Sequence, residues 1–394
     1  MTSVSHVHLG DLMTTKTGSV DPSKYRDEVF DLYSIPAFDR GEPELAEGSA
    51  IGSAKQVVEP QDVLLSKIVP HIRRTWVVGE DRGRRLIASG EWMVFRSPRA
   101  EPGYLRQVLR SDPFHVQFMQ TVAGVGGSLL RARPSQVARI SIPLPPLAEQ
   151  RRIAAILDQA DSLRAKRREA LAQLDSLTQS IFIEMFGRQH SQEWPIQTIS
   201  SVAALHGGAI RTGPFGSQLL HSEFVAEGVA VLGIDNAVAN EFRWGERRFI
   251  SEAKYRDLRR YTVRPGDVLI TIMGTCGRCA VVPDDIPVSI NTKHLCCITL
   301  NPMKCRPEFL HAYFLRHPMA RGYLEQTSKG AIMSGLNMGL IKSMPIPVPP
   351  LALQQTFATR IQAVEALKTS HRAALTELDA LFASLQHRAF AGQL

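Results

Sequence analysis

The chain contains few cysteines, and none of them lies in its first half. The five are Cys276, Cys279, Cys296, Cys297 and Cys305. An odd and one-sided set argues against a disulfide framework, so we expect a reducing, cytoplasmic compartment. No apolar run reaches the ~18 residues that a membrane helix needs, so we expect no membrane span. With 44% hydrophobic and 21% charged residues, the composition is typical of a globular soluble protein.

Catalytic motifs are missing as well. The sequence contains no phosphate-binding loop of the form GxxxxGK[ST], and no GxGxxG follows a strand-like segment. The proline pairs that begin at Pro145 and Pro349 lack the preceding Asp or Asn of the amino-methyltransferase signature. These absences disfavour nucleotide hydrolysis, dinucleotide chemistry and amino-group methylation, and we expect this chain to be no enzyme.

Two weaker patterns point to metals, and we favour a simpler interpretation of each. Cys276 and Cys279 have a zinc-like spacing, but the first half has no cysteine, so buried thiols explain them better. Asp235, Glu252 and Lys254 loosely resemble the D…ExK motif of nucleases, although such triplets are common on charged helix faces. We therefore predict no metal site.

A long internal repeat organises the sequence. PLPPLAEQRRIAAIL, which begins at Pro143, returns as PVPPLALQQTFATRI at Pro347. EPQDVLLSKI (59–68) aligns with RPGDVLITIM (264–273), and LDSLTQSIF (174–182) aligns with LDALFASLQ (378–386). The offsets are all 204 or 205 residues, far longer than the period of a solenoid. The pattern predicts a tandem duplication in which a whole domain is followed by a helix.

Each copy of the proline motif starts an amphipathic helix of about 40 residues, or ~60 Å. Proline suits the start of a helix, and the apolar residues that follow are three or four apart. One narrow apolar stripe needs a partner, so we predict that the two helices pair antiparallel; the alternative is that each packs on its own domain. The predicted interface consists of Ile153, Leu163, Leu174, Leu177, Phe357, Leu367, Leu378 and Leu381.

The segments between the helices are rich in glycine and proline and contain short β-type runs such as DVLLSKIVP and DVLITIM. We therefore predict an α+β fold in which two mixed α/β domains are joined by two long antiparallel coiled-coil helices, as a pseudo-two-fold tandem repeat. The predicted segments are 1–142 (first domain), 143–187 (central helix), 188–350 (second domain) and 351–394 (C-terminal helix, paired with 143–187).

The formal net charge is +8, and the two domain segments hold most of it. Residues 1–142 carry 18 basic and 16 acidic groups, and residues 188–350 carry 18 and 13. A modest basic excess permits binding to nucleic acid through its phosphates, and it is also common in proteins with other partners.

Several motifs together resemble the specificity subunit of type I restriction–modification systems. They are the helix PLPPLAEQRRIAAIL with its ending LDSLTQSIFIEMFG, the segment GAIRTGPFGSQL (208–219), and YTVRPGDVLITIMGTCGRCAVVP (261–283). The resemblance implies two target-recognition domains, each of which reads half of a split DNA target, on paired helices that set the spacing. The first copy has no counterpart of the GPFGS motif (213–217), so its DNA-facing loop is not placed.

The same resemblance implies the partners. They are double-stranded DNA, two methylation subunits and restriction subunits, with no membrane. It also implies no cofactor on this subunit, because S-adenosylmethionine, ATP and Mg are expected on the partner subunits. Two rival functions remain: a stand-alone nuclease, and a coiled-coil adaptor that does not bind DNA.

Candidate DNA contacts are basic or hydroxyl-bearing residues close to glycine-rich loops. Arg73 and Arg278 are equivalent positions after the shared strand, and arginine can hold a guanine edge or a phosphate. For each residue a solvated surface charge is the alternative. The predicted set is Arg73, Arg74, Arg211, Thr212, Ser217, Arg278, Lys293, His294 and Lys329.

Overall fold

The computed structural model describes residues 5–14, 17–124, 130–187, 194–328 and 336–394. The chain divides into two units: unit 1 contains Met1–Arg168 and Ala373–Leu394, and unit 2 contains Glu169–Arg372. Each division point lies inside a long helix, so each unit holds one mixed domain and half of both helices. This division does not test the segment boundaries that the sequence predicts, and they stay predictions.

The helices are numbered in chain order. They are α1 (Ile35–Arg40), α2 (Pro102–Arg110), α3 (Asp112–Gln120), α4 (Pro134–Val137), α5 (Leu147–Phe186), α6 (Ile199–Val202), α7 (Glu252–Leu258), α8 (Pro307–Arg316), α9 (Pro318–Ser328), α10 (Met338–Ser343) and α11 (Leu351–Phe390). In the described ranges, no helix is long and apolar enough to cross a membrane.

The mixed domain of unit 1 is built on two sheets. A five-stranded sheet has the order β2-β5-β8-β3-β4, in which β3 and β8 are parallel, and a three-stranded antiparallel sheet has the order β7-β6-β9. The strands are β1 (His6–His8), β2 (Ser19–Val20), β3 (Val29–Tyr33), β4 (Glu44–Glu47), β5 (Lys55–Val57), β6 (Val63–Ser66), β7 (Thr75–Val77), β8 (Leu86–Ala88), β9 (Trp92–Phe95), β10 (Val122–Ala123), β11 (Arg131–Ala132) and β12 (Ser141–Pro143).

Unit 2 has a five-stranded sheet of order β15-β17-β16-β21-β18, in which β16 and β21 are parallel, and a four-stranded antiparallel sheet of order β14-β22-β19-β20. The strands are β13 (Ile196–Thr198), β14 (Ile210–Thr212), β15 (Phe224–Val225), β16 (Val229–Leu232), β17 (Phe249–Ile250), β18 (Thr262–Val263), β19 (Val268–Thr271), β20 (Cys279–Val281), β21 (Ser289–Asn291), β22 (Leu295–Ile298) and β23 (Pro345–Pro347).

The duplication is visible in the order of the elements. In each unit one parallel strand pair is central to the larger sheet, and the smaller sheet contains one hairpin with a returning strand, to which unit 2 adds β14. The hairpin β6–β7 corresponds to β19–β20, and helix α2 corresponds to α8, at the offset of the sequence repeat. Both long helices contain 40 residues, as the sequence predicts. The predicted α+β fold with a tandem repeat is therefore confirmed.

Within each unit the two long helices run antiparallel, and an ion pair fixes their register. In unit 1 Arg164 donates to Asp379 at 2.6 Å and to Asp161 at 2.9 Å. In unit 2 the equivalent residue is Lys368, which contacts Asp175 at 2.8 Å and Glu365 at 2.9 Å. Adding 204 to 164 gives 368, and adding 204 to 175 gives 379, so one interhelical ion pair occurs once in each unit. Polar residues in a helix seam specify register in this way.

Lys368 is buried, and burial alone would lower its pKa. Hydrogen bonds to Asp175 and Glu365 outweigh that cost, and the pKa of Lys368 is raised. The carboxylates therefore keep the side chain charged, and removal of either one would leave a buried cation with fewer partners.

Four residues of the predicted helix interface lie elsewhere. Ile153 and Phe357 are buried, and Leu174 and Leu378 are partly buried. By contrast, Leu163, Leu177, Leu367 and Leu381 are 46, 44, 52 and 50% exposed. The apolar pattern missed the seam by one position, because the residues that follow the four leucines contact the partner helix. They are Arg164, Thr178, Lys368 and Phe382, and the first three are polar.

A turn shared by the two units gives a prediction of stability. Gln61 and Gly266 occupy the same position in PQDVL and PGDVL, with φ of 71° and 75°. The left-handed region strains residues that carry a Cβ but not glycine. We expect Gln61→Gly to raise the free energy of unfolding by about 0.5–1 kcal/mol, measured by urea denaturation of the full chain.

The converse variant is the control. Gly266→Gln introduces the same strain in unit 2, where the nearest atom to an added Cβ is Pro307 Cγ at 3.6 Å, so no clash is involved. It should lower the stability by a similar amount. Stability that falls in Gln61→Gly would show that the side chain of Gln61 makes a contact that outweighs its backbone strain.

Candidate nucleic-acid interface

Three loops of unit 2 meet at one edge of the four-stranded sheet. Thr212, at the end of β14, lies opposite Cys296 of β22, and Ile270 of β19 lies opposite both Cys296 and Cys279. The loop after β14, the β19–β20 turn and the loop before β22 therefore leave the sheet at the same end. We call these loops, 213–217, 272–278 and 292–294, the unit 2 edge.

Backbone hydrogen bonds tie the three loops together. Ile272 N–H donates to the His294 carbonyl at 2.9 Å, and Gly213 N–H donates to the Thr292 carbonyl at 3.3 Å. At Gly213 the loops approach so closely that a Cβ would lie 2.0 Å from the Asn291 carbonyl oxygen. Only glycine fits there, which explains the first residue of the GPFGS motif.

The structure places four of the predicted contact residues at this end of the sheet: Thr212, Arg278, Lys293 and His294. Ser217 lies further along the loop that follows β14. Ser217, Arg278 and Lys293 are exposed. Burial, followed by the neighbouring charges of Lys293 and Arg248, lowers the pKa of His294. The imidazole is therefore neutral at pH 7 and offers one donor and one acceptor, while the nearby cations attract phosphate.

Two features of this edge escaped the sequence analysis. Phe215 and Met273, in two of these loops, are 47% and 39% exposed, so the loops carry apolar side chains as well as cations. Arg248, which lies near His294, forms an ion pair with Asp235 at 2.9 Å. The sequence does place Phe215 in a glycine-rich loop, where an aromatic side chain can be exposed. Such a side chain could contact thymine methyl groups or base faces, so Phe215 could have been named as a candidate DNA contact.

Arg211 lies beneath the edge and not on it. It is buried, and its guanidinium donates to Asp267 at 2.7 Å and to Thr299 at 2.9 Å. To reach DNA it would have to leave a buried carboxylate unpaired, which is costly.

The same aspartate exists in unit 1, where Asp62 holds Arg96 through two bonds of 2.7 Å. The hydrogen bonds that Arg96 donates to Asp62 raise the pKa of Arg96. The repeated aspartate of the PxDVL motif thus has the same structural role in both units.

In unit 1 the equivalent edge is the β6–β7 hairpin, residues 67–74, which we call the unit 1 edge. Arg73 is partly exposed and contacts Asp112 at 2.6 Å. Arg74 is buried and donates two hydrogen bonds of 2.8 Å to Asp39. Val69, at the tip, has φ of 47°, a strained conformation for a β-branched residue and one that clusters at functional sites.

Thr75 pairs with Leu65 as Cys279 pairs with Ile270, so Arg278 corresponds to Arg74. The predicted equivalence of Arg73 and Arg278 is therefore wrong, because the turn of unit 1 is one residue longer.

Nothing in the structure tests the DNA-binding roles of these residues, which stay predictions. The arrangement ranks them by availability. Arg278, Lys293 and Ser217 are exposed, and Arg73 would exchange an exposed carboxylate for a phosphate. Arg74 would have to leave its buried position beside Asp39, and Arg211 would break a buried ion pair. Lys329 lies outside the described residues.

Most of the cysteines and charged residues considered as metal ligands are buried in strands or form ion pairs. Cys279, Cys296 and Cys297 are fully buried in strands, and burial raises the pKa of Cys296 to about 12. Asp235 pairs with Arg248, and Lys254 contacts Glu223 at 2.7 Å. In the ranges that the structure describes, no three His, Cys, Asp or Glu side chains are grouped where they could hold a metal ion.

Comparison with known proteins agrees with this arrangement. The chain is 25% identical over 286 residues to the type I restriction enzyme EcoBI specificity subunit of Escherichia coli, which covers 64% of this chain and 58% of that protein. It is 22% identical over 246 residues to the MjaVIII specificity subunit of Methanocaldococcus jannaschii, which covers 58% and 56%. The chain thus spans less than two thirds of the length of these relatives.

A solved structure shares the fold. The crystal structure of a type I restriction–modification system S subunit from M. genitalium matches with a TM-score of 0.62 at 12% identity, over 98% of this chain and 96% of that one. The family model of the type I restriction modification DNA specificity domain matches residues 115–173 and 250–379, which include parts of both long helices and the β19–β20 hairpin. These two segments of the chain therefore match the type I restriction modification DNA specificity domain, the family that the sequence motifs resemble.

Proposed function

We propose that this chain is the subunit that reads a bipartite double-stranded DNA target and directs methylation and restriction subunits to it. The observation that carries the proposal is the duplicated edge: the same hairpin occurs once in each unit, with Arg73 and Arg74 before its second strand in unit 1 and Arg278 before it in unit 2. Two edges suit two half-sites. Because the loops around the two hairpins differ, the half-sites need not be identical.

The chemistry of the unit 2 edge suits a DNA groove. Arg278 and Lys293 are cations that can neutralise phosphates, and a guanidinium can also bond a guanine edge through two hydrogen bonds. Phe215 and Met273 offer apolar contacts beside them. A surface that combines exposed cations, a neutral imidazole and apolar side chains can both hold the backbone and distinguish base pairs.

We assign no reaction to this chain. In this proposal S-adenosylmethionine, ATP and Mg act on the methylation and restriction subunits, and this subunit supplies position and sequence choice alone. The rival proposal of a stand-alone nuclease would require Mg-dependent cleavage by the purified chain. A coiled-coil adaptor would form the complex without any contribution to DNA affinity.

Removal of the two exposed cations tests DNA reading. In the assembled complex, Arg278→Ala with Lys293→Ala should lower the slope of log K against log salt by about 2 if both residues contact phosphate. If Arg278 reads a base, its removal should cost about 1–3 kcal/mol and relax discrimination at one position of the target. Fluorescence anisotropy at several salt concentrations measures both effects.

Lys304→Ala is the matched control, because Lys304 is an exposed cation beyond the opposite end of β22. It should leave affinity and salt slope unchanged. A double variant that binds every DNA sequence like the wild type would remove the unit 2 edge from the proposal.

We further propose that the four exposed leucines are where two methylation subunits dock, one on each unit. In unit 1, Leu163 and Leu381 precede Arg164 and Phe382, which stack at 4.2 Å, so the two leucines lie at one level of the helix pair. In unit 2, Leu177 and Leu367 precede Thr178 and Lys368, which are hydrogen-bonded at 3.3 Å. A repeated pair of half-exposed leucines supports two equivalent partners.

Charged substitutions test the docking. Leu163→Lys with Leu381→Lys should leave the chain folded but reduce the bound methylation subunits from two to one, as read by native mass spectrometry. Leu205→Lys is the control, because Leu205 is 91% exposed outside the helices. Two methylation subunits still bound to the double variant would show that they dock elsewhere.

A further inference from the structure

One buried glutamine occupies the same place in each repeated helix start. Gln150 ends the segment PLPPLAEQ and Gln354 ends PVPPLALQ, and their side chains are 1% and 0% exposed. A buried side-chain amide must find partners for two N–H groups and one oxygen, or the fold loses stability. Both glutamines find them in the backbone of their own unit.

In unit 1 the partners of Gln150 belong to two different elements. Its Nε2 donates to the Pro145 carbonyl at 2.7 Å, just before α5, and to the Arg99 carbonyl at 2.9 Å. Its Oε1 accepts from the N–H of Glu101 at 2.8 Å. Glu101 is the N-cap of α2, so the amide joins the start of the long helix to the start of a helix in the mixed domain.

Unit 2 repeats this arrangement bond for bond. Gln354 Nε2 donates to the Pro349 carbonyl at 2.9 Å and to the Lys304 carbonyl at 3.1 Å. Its Oε1 accepts from the N–H of Arg306 at 2.8 Å, and Arg306 is the N-cap of α8. These partners are the residues 204 or 205 positions after Pro145, Arg99 and Glu101. The surrounding loops differ in sequence, yet the three bonds are the same.

The amide is the chemical group that this junction needs. An ionised glutamate would accept from the N-cap N–H but could not donate to two carbonyls, and methionine could do neither. Three bonds to two elements also constrain direction, because they hold the long helix at separate points of the domain. An apolar contact at the same place could repack and would hold the angle between the domain and the long helix less rigidly.

We propose that Gln150 and Gln354 are positioning residues that fix the angle between each recognition domain and its long helix, and that they thereby fix the spacing of the DNA half-sites. The inference rests on the proposed function. Leu147–Arg168, the part of α5 in unit 1, spans about 33 Å at 1.5 Å per residue, so a 10° change at its start moves its far end by about 6 Å. That displacement exceeds the ~3.4 Å rise of one base pair.

The test is a methylation assay of the assembled complex on a library of targets whose spacers are lengthened or shortened by one or two base pairs. Gln150→Met and Gln354→Met keep the side-chain length and remove every hydrogen bond of the amide. We expect sites shifted by one base pair to gain about tenfold in methylation relative to the original spacing, while both half-site sequences stay the same. Gln159→Met and Gln355→Met, at exposed positions of the same helices, should keep the wild-type spacing.

The outcomes separate the two proposals. A wild-type complex that methylates no bipartite motif contradicts the proposed function itself. Folded, partner-bound Met variants that keep the original spacing overturn the positioning role alone. If the Met variants fail to fold, Gln150→Glu and Gln354→Glu replace them, because each keeps the acceptor for the N-cap N–H and loses both donors. Those variants should broaden the spacing in the same direction, and an unchanged spacing would again overturn the role.

Discussion

A heptad inserted in both long helices is expected to lengthen the unspecified spacer of the DNA target by about three base pairs, since seven residues add ~10 Å. The insertion points are Ala170 and Ala374. Ala170 lies between Arg164 and Asp175, and Ala374 lies between Lys368 and Asp379. Each duplicated ion pair therefore keeps its partner, and the heptad preserves the phase of the seam. Sequencing of methylated sites in the complex measures the result.

The single insertions are the controls. A heptad in one helix alone forces one of the ion pairs or the apolar seam out of register, and it should lower the melting temperature and abolish methylation. If the doubly extended complex is folded and partner-bound but still methylates the original spacing, the helices hold the subunits together and do not measure the DNA.

Gly213→Ala is expected to abolish reading of one half-site and leave the other intact. The added Cβ would lie 2.0 Å from the Asn291 carbonyl oxygen and 2.3 Å from the Thr292 carbonyl carbon, both in backbone. Because neither atom can rotate away, the GPFGS loop must leave the edge, at a cost of about 1–3 kcal/mol. The loss should appear as degenerate sequence in half of the methylated motif.

Gly207→Ala is the matched control, since no atom lies within 4 Å of its added Cβ and its φ is not in the left-handed region. The methylated motif should be that of the wild type. A Gly213→Ala complex that keeps both half-sites would place the reading surface of unit 2 away from these loops.

The helices and the repeat could be predicted because they depend on local rules. Proline pairs, apolar spacing and a constant offset can be read directly from the sequence, and they predict the two 40-residue helices and the strand segments β6 and β19, although not how the strands pair. The seam could not be predicted in full, because Arg164 and Lys368 are satisfied by carboxylates on the other helix. The spacing of apolar residues in one helix does not show that a carboxylate on the other helix will neutralise a buried cation.

The edges show the same limit. Arg278 and Arg211 look alike as basic residues near glycines, yet one is exposed and the other holds a buried aspartate. The repeat does contain a sign that an aspartate is structural, because the aspartate of PQDVL recurs in PGDVL. Its arginine partner does not recur at an equivalent position: Arg96 binds the aspartate of unit 1 and Arg211 binds that of unit 2, from different elements. A basic residue can therefore be assigned to a DNA-binding surface only when it is known whether a carboxylate of the same chain already binds it.

We propose that each unit reads its own half of one DNA target. The most direct measurement replaces residues 188–350 with the equivalent segment of a family member of different specificity, followed by sequencing of the methylated genomic motif in the assembled complex. We predict that one half of the motif changes to that of the donor while the other half stays as in the wild type. A motif in which both halves change, or neither does, would contradict the account.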